Sequence, residues 1–256
     1  MILSLLAATT FAYSFPASAV NYKVEINFDG YLPIFGGTTA KVDTAIAMKV
    51  MGERADAEGK PQVSTDLTDL KVTFDGEAMP FTVENVRPYF PKTTISISPQ
   101  GKVLKTNAPN VNLPVRLPGL DVKRFPETTF LPVEFPEDAL EVGKSFEYKR
   151  PFGDSVVNYV VTPTKIEGNT ISLTLKVSQS YETLEDESKN LTTKEADAIY
   201  KVKTEVAGSG TATYDTQKGQ LTKMELTADS SSTATTIKGG ETEKRQLKTK
   251  MTVKRA

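Results

Sequence analysis

The sequence predicts an all-β protein of antiparallel meanders forming a curved sheet or half-barrel, with a Pro-rich crossover between two similar halves. Three observations carry this. Apolar residues recur at every second position along most of the chain, Gly-containing pairs punctuate those runs, and six prolines crowd between positions 107 and 136. A strand has a side-chain period of two, so alternation gathers the apolar residues on one face and leaves the other wet. That is the habit of antiparallel sheet.

The first stretch, MILSLLAATTFAYSFPASAV, is uncharged and apolar or small throughout. It ends in Ala17-Ser18-Ala19, the small-x-small pattern of a signal-peptidase site. Ser, Thr and Pro16 interrupt the apolar run, which is too short for the ~20 residues a bilayer span needs. Residues 1–19 are therefore expected to be a signal peptide. Cleavage after Ala19 is expected to release a chain exported to the periplasm or outside the cell, with no transmembrane segment. No Cys follows the site, so anchoring through a lipidated Cys is excluded.

Residues 20–106 read as a first β-meander unit. Val24, Ile26 and Phe28 share one face, against Lys23, Glu25 and Asn27 on the other. Ile46, Met48 and Val50 repeat the pattern, as do Leu70, Val72 and Phe74. Asp29-Gly30 and Asp75-Gly76 suit turn positions that need positive φ.

Residues 107–144 form the crossover. Proline has no N–H to give to a ladder, so this stretch should be extended and mostly outside regular sheet. Its prolines are interleaved with large apolar residues, including Phe125, Phe130, Leu131, Val133 and Phe135. Disordered linkers lack such content, so an ordered segment packed along the sheet is expected. Val142-Gly143-Lys144-Ser145 follows, with the lettering of a phosphate loop. Such a loop needs a Gly where this chain has Asp138, and the flanking pattern enters a strand rather than a helix. A turn over Glu141–Lys144 is predicted instead.

Residues 145–256 read as a second β-meander unit. Its alternating runs are Ile171, Leu173, Leu175 and Val177; Tyr200, Val202, Thr204 and Val206; Met224, Leu226 and Ala228; and Leu247, Met251 and Val253. Val156 to Val161 is apolar on both faces and is expected to sit more centrally. Gly168-Asn169 and Gly239-Gly240 mark turns, and Thr192 to Ile199 is the one candidate for a short helix. The whole chain should hold roughly ten to twelve strands. Lys244, Lys248, Lys250 and Lys254 lie opposite Leu247, Met251 and Val253, as on an outer face whose lysines protect an edge. Glu182, Glu185, Asp186 and Glu187 read as a solvated loop, since no Gly supplies the bend of a calcium loop. The halves also echo each other: ISISPQGKVLKTN (95–107) resembles ATYDTQKGQLTKMEL (212–226).

The 256 residues include no His, Cys or Trp, and the net charge is −1. This excludes a Ser-His-Asp triad, a Cys nucleophile and His-ligated zinc. No catalytic residue, metal ligand or cofactor is predicted, and the chain does not read as an enzyme. Near-neutral charge and export both oppose nucleic acid as a partner. Phe28, Met48, Phe74, Met224 and Met251 are the candidates to line an apolar ligand site, because Met adapts to varied ligands.

Two stretches, LPVEFPEDALEVGKSFEY and GSGTATYDTQKGQLTKMEL, set among β meanders behind a signal peptide, resemble bacterial envelope proteins of the group similar to the lipoprotein carriers LolA and LolB. The resemblance implies a curved antiparallel half-barrel that cups an apolar ligand. The carriers plug that face with helices, which this sequence lacks, so no site residue is carried over. The expected function is that of an exported, non-enzymatic envelope protein with a lipid, an acyl chain or a protein as partner. Two alternatives stay open: a structural or assembly protein with no small ligand, and a carboxylate-dependent hydrolase.

Overall fold

The computed structural model describes residues 9–33, 37–107, 124–152, 155–192 and 194–256. Thirteen strands form one antiparallel sheet: β1 (Val20–Leu32), β2 (Thr38–Glu53), β3 (Gln62–Phe74), β4 (Glu77–Ala78), β5 (Thr93–Ile97), β6 (Val103–Asn107), β7 (Phe146–Phe152), β8 (Ser155–Glu167), β9 (Thr170–Glu185), β10 (Leu191–Thr192), β11 (Tyr200–Asp215), β12 (Gln220–Thr236) and β13 (Thr242–Arg255). Two single-turn helices, α1 (Val83–Val86) and α2 (Phe125–Thr128), are the α-helical elements among the described residues.

The alternation is realised almost residue by residue. Val20, Tyr22, Val24, Ile26 and Phe28 of β1 are buried, and the residues between them are exposed. Leu247, Thr249, Met251 and Val253 of β13 are likewise buried, with Lys248 and Lys250 exposed between them. Lys244, Lys248, Lys250 and Lys254 are exposed, as expected, but they protect no edge. β13 pairs with both β1 and β12 and is central. Nothing local in a strand reveals which strands its neighbours will be.

The strand order is β6-β5-β3-β2-β1-β13-β12-β11-β9-β8-β7, with β4 on β3 and β10 on β9. Each half winds outward from the middle, where the first and last strands zip together. Val24 faces Val253 across that seam and Ile26 faces Met251. The halves thus share one sheet and one core cluster rather than forming two sandwiches.

The crossover must therefore join opposite edges, β6 and β7. Eleven strands laid flat would hold these edges roughly 50 Å apart. Curvature brings them near enough to line one cleft together, although the sheet stays open. Register shifts in the β2–β3, β5–β6, β8–β9 and β11–β12 pairs mark the places where strands bend.

Most predicted turns are present. Lys144 N–H donates to the Glu141 carbonyl at 3.1 Å, closing the turn foreseen at Val142-Gly143. Asp29-Gly30 is not a turn: β1 runs on to Leu32, and Gly30 sits inside the strand at φ +133°, where a Cβ would collide with the Gln246 carbonyl. The helix candidate is a 3₁₀ turn at Glu195–Asp197. β8 lies next to the edge rather than centrally, and Val156 is exposed. Two apolar faces signalled a buried strand, but the outer face of the sheet has no covering layer here.

Candidate functional site

The five ligand-lining candidates face the interior side of the sheet. Phe28, Met48, Met224 and Met251 belong to the buried core, and Phe74 packs half-buried against it. Phe28 and Phe74 flank Val42 across three adjacent strands. Met251 lies between Ile26 and Leu226. Met224 faces Val253, and Met48 lies between Tyr22 and Leu67. Met48 borders a cavity of about 30 Å³ together with Phe90 and Phe125. Clefts of about 530, 480 and 290 Å³ open elsewhere and include none of the five.

The chain itself fills this face, through two extended segments. The described part of the crossover buries Phe130, Leu131, Val133 and Phe135; the rest, 108–123, lies outside the described residues. Beside it run residues 9–16, from the stretch expected to be a signal peptide. Phe11 and Tyr13 are buried, and their rings pack on Phe135 and Tyr214. Phe15 meets Phe130 edge-on at 5.6 Å. Edge-to-face arrangements let the positive rim of one ring meet the negative face of the next.

The two echoing hairpins turn onto this same segment. Tyr13 N–H donates to the Pro99 carbonyl at 2.7 Å, and Ser14 N–H to the Gly219 carbonyl at 2.9 Å. Gly101 and Gly219 both have positive φ, and neither has room for a Cβ: one meets the Tyr13 ring, the other the Ala12 carbonyl. The likeness between halves is thus a shared packing task as well as a shared turn.

Two buried arginines mark the polar limits of the interior. At one, Arg245 Nη1 contacts both carboxylate oxygens of Glu185, at 2.9 and 2.7 Å, with both side chains 2% exposed. Its guanidinium also lies 4.3 Å over the Tyr31 ring. Burial, and then the nearby Glu185 charge, push the Tyr31 hydroxyl up to about 12. Glu185 therefore departs from the solvated-loop reading. Its acidic neighbours have local roles: Glu182 pairs with Lys201, and Asp186 Oδ1 accepts from Asn190 N–H. Among the described residues, no group of three carboxylates is placed to hold a metal ion.

At the other, Arg150 of β7 is equally buried and stacks near the paired rings of Tyr148 and Tyr159. Its Nη1 donates to the carbonyls of Glu127 and Pro132 at 2.9 and 3.2 Å. Tyr148 donates to the same Pro132 carbonyl, and Tyr13 donates to the next one, Val133. Burial pushes the hydroxyls of Tyr13, Tyr148, Tyr159 and Tyr214 above their ordinary range.

Of these charges only Glu185 stands out in the sequence, and there as part of a solvated loop; Arg150 and Arg245 do not. The signal was strand phase. Glu185 is in step with Leu173 and Leu175, Arg245 with Leu247, and Arg150 with Phe146 and Phe152. A charge at an inward position of a strand must be paired, hydrogen-bonded or functional.

No protein-family profile matches the chain, and no curated protein does. Among solved structures, the chain is similar to a lipovitellin described for its lipid–protein interactions. The TM-score is 0.51 at 13% identity, over 94% of this chain and 25% of that one. The likeness is one of fold, and this chain spans about a quarter of that protein. A second structure, DynF from the dynemicin biosynthesis pathway of Micromonospora chersina, aligns at TM-score 0.25 and 8% identity over 99% of this chain and 87% of that one, too low a score to support an argument. Neither is described as a lipoprotein carrier of the kind expected from the sequence. No described helix is long and apolar enough to cross a membrane.

Proposed function

We propose that this is an exported, non-enzymatic protein that holds an apolar ligand on the interior face of its curved sheet. The ligand groove is the one that Phe11, Tyr13 and Phe15 fill. The observation carrying this reading is the nature of the cover. A continuous apolar face lies under two single extended segments, where most sheets of this breadth use helices or a second sheet. One of those segments precedes Ala17-Ser18-Ala19, the expected cleavage site. Cleavage there would strip three aromatic side chains from the face and leave an extended apolar trough. The fold-level likeness to a lipid-associated protein fits this reading.

A second reading rests on the fit of Gly101 and Gly219 against residues 12–14. If that segment is permanent, the core is already full and the protein is a structural or assembly element without a small ligand.

One experiment separates the two. Chains beginning at Met1 and at Val20 are titrated with a fluorescent fatty acid. The ligand reading expects the shorter chain to fold, by far-ultraviolet circular dichroism, and to bind saturably, with the longer chain binding more weakly. A folded chain from Val20 that binds nothing would overturn it. Loss of folding on removing residues 1–19 would establish the segment as structural.

A further inference from the structure

We propose that the cleft between the two sheet edges is an oxyanion site, built to take a carboxylate or phosphate group on Arg150. The cleft has a volume of about 290 Å³. Among the described residues it is lined by β6 from Val103 to Thr106, by Lys102, Arg124, Glu127 and Glu134, and by Lys149, Arg150 and Pro151.

The two buried arginines make the case by contrast. Arg245 has Glu185 against its guanidinium, so its charge is neutralised on the spot. Arg150, 4% exposed, has no carboxylate within ion-pairing distance among the described residues. The acid that acts on its charge is Glu127, whose carboxylate oxygens both accept from Arg124. Arg150 Nη1 is used on two carbonyls, while Nη2 is buried and has no partner of good hydrogen-bond geometry, although the Tyr159 hydroxyl lies close. Arginine cannot shed its proton to escape burial. A buried cation without a counter-charge is costly, and an anion from outside supplies what the described residues omit.

The surroundings agree. The lining carries five cations and two carboxylates, and one of those carboxylates is consumed by Arg124. Lys102, Lys105 and Lys149 are exposed at the rim, where they attract an anion from solution without being needed for the core. A guanidinium matches an oxyanion better than an ammonium does, because its donors are set in a planar fork.

The site also adjoins the apolar trough. Arg150 and Tyr13 are held by consecutive carbonyls of the crossover, Pro132 and Val133. A head group on Arg150 would therefore place an attached chain beside the groove that Tyr13 fills. Only this extension, to an anionic amphiphile, rests on the apolar-ligand reading. The oxyanion site stands without it.

The test uses the full chain and three probes in calorimetric titrations: inorganic phosphate, oleate, and oleyl alcohol, which has the oleate chain without its charge. The site predicts saturable binding of phosphate, or a preference for oleate over oleyl alcohol of about tenfold or more, the scale of one charge-assisted hydrogen bond. Arg150→Gln should abolish that binding or preference. Because Arg150 also anchors two crossover carbonyls, that variant risks unfolding. The rim variant Lys102→Gln/Lys105→Gln/Lys149→Gln leaves the core intact and should weaken oxyanion binding several-fold and flatten its salt dependence. Phosphate binding without oleate binding would support a free oxyanion as the source, and would count against the apolar-ligand reading if the chain beginning at Val20 also failed to bind oleate. Preference for oleate would support a lipid head group. Equal affinity for oleate and the alcohol, with no phosphate binding, would overturn the site while leaving an apolar ligand in place. No binding of any probe, or binding unmoved by both variants, would overturn it as well.

Discussion

At the scale of single residues, burial decides what each charge and hydroxyl is worth. Glu185 and Arg245 are withdrawn from water as a pair, and each makes the other tolerable. Glu185→Gln should leave the buried guanidinium with only the exposed Glu243 as counter-charge and destabilise by up to roughly 3–5 kcal/mol in urea denaturation. Replacing both partners with leucine should cost much less, because no buried charge is then stranded. The tyrosines carry a pH dependence of definite sign. A tyrosine whose folded pKa exceeds its ordinary 10.0 keeps its proton longer in the fold than in the unfolded chain. Its contribution is intact below pH 10 and is lost as pH climbs through the folded value, about 12 for Tyr31. Burial pushes Tyr13, Tyr22 and Tyr214 further in the same direction. Stability should therefore be insensitive to these groups up to pH 10 and fall beyond it. The tyrosinate absorbance of these buried tyrosines should rise together with loss of circular dichroism, not before it.

At the scale of elements, the described part of the crossover beyond α2 behaves as a core layer outside helix and sheet. Its phenylalanines contact three separate parts of the sheet: Phe130 meets Tyr22 of β1, and Phe135 meets Phe146 of β7 and Tyr214 of β11. Phe130→Ala and Phe135→Ala should each cost about 3–5 kcal/mol, as for fully buried aromatic residues elsewhere. A loss under 1 kcal/mol in chemical denaturation would mean that the segment only rests on the sheet. The alternation of proline with aromatic residues made this packing legible from the sequence. It did not reveal that the crossover also supplies carbonyls to Arg150, Tyr148 and Tyr13, because a free carbonyl leaves no mark in side-chain pattern.

At the scale of the whole molecule, one core cluster draws on both halves. The chain ends meet in the middle of the sheet, through nine paired positions between β1 and β13. Neither half can unfold without exposing a long edge and the rings packed against it. Equilibrium unfolding should therefore be a single transition, with circular dichroism and tyrosine fluorescence coincident. Two resolved transitions would show halves that are stable alone. Hydrogen exchange should be slowest in β1, β13 and β12, which lie farthest from either edge.

The sequence by itself determined the class of fold, most of the strands and the inward face of each, because period two is a property of one strand and its exposure to water. It also determined that Phe130 to Phe135 of the proline-rich stretch would pack, since their apolar content has to be hidden. The order of strands, the central place of β13 and the burial of Glu185 depended on partners far along the chain. Arg245 lies 60 residues from Glu185, and no local pattern encodes that meeting. The same holds for residues 9–16. Their composition fits a leader, yet in three dimensions they fit the turns at Gly101 and Gly219. An apolar segment satisfies either role, because the hydrophobic effect rewards burial without specifying where. Only the arrangement of the sheet decided that Arg150 would be buried beside a cleft, with no carboxylate among the described residues in ion-pairing distance.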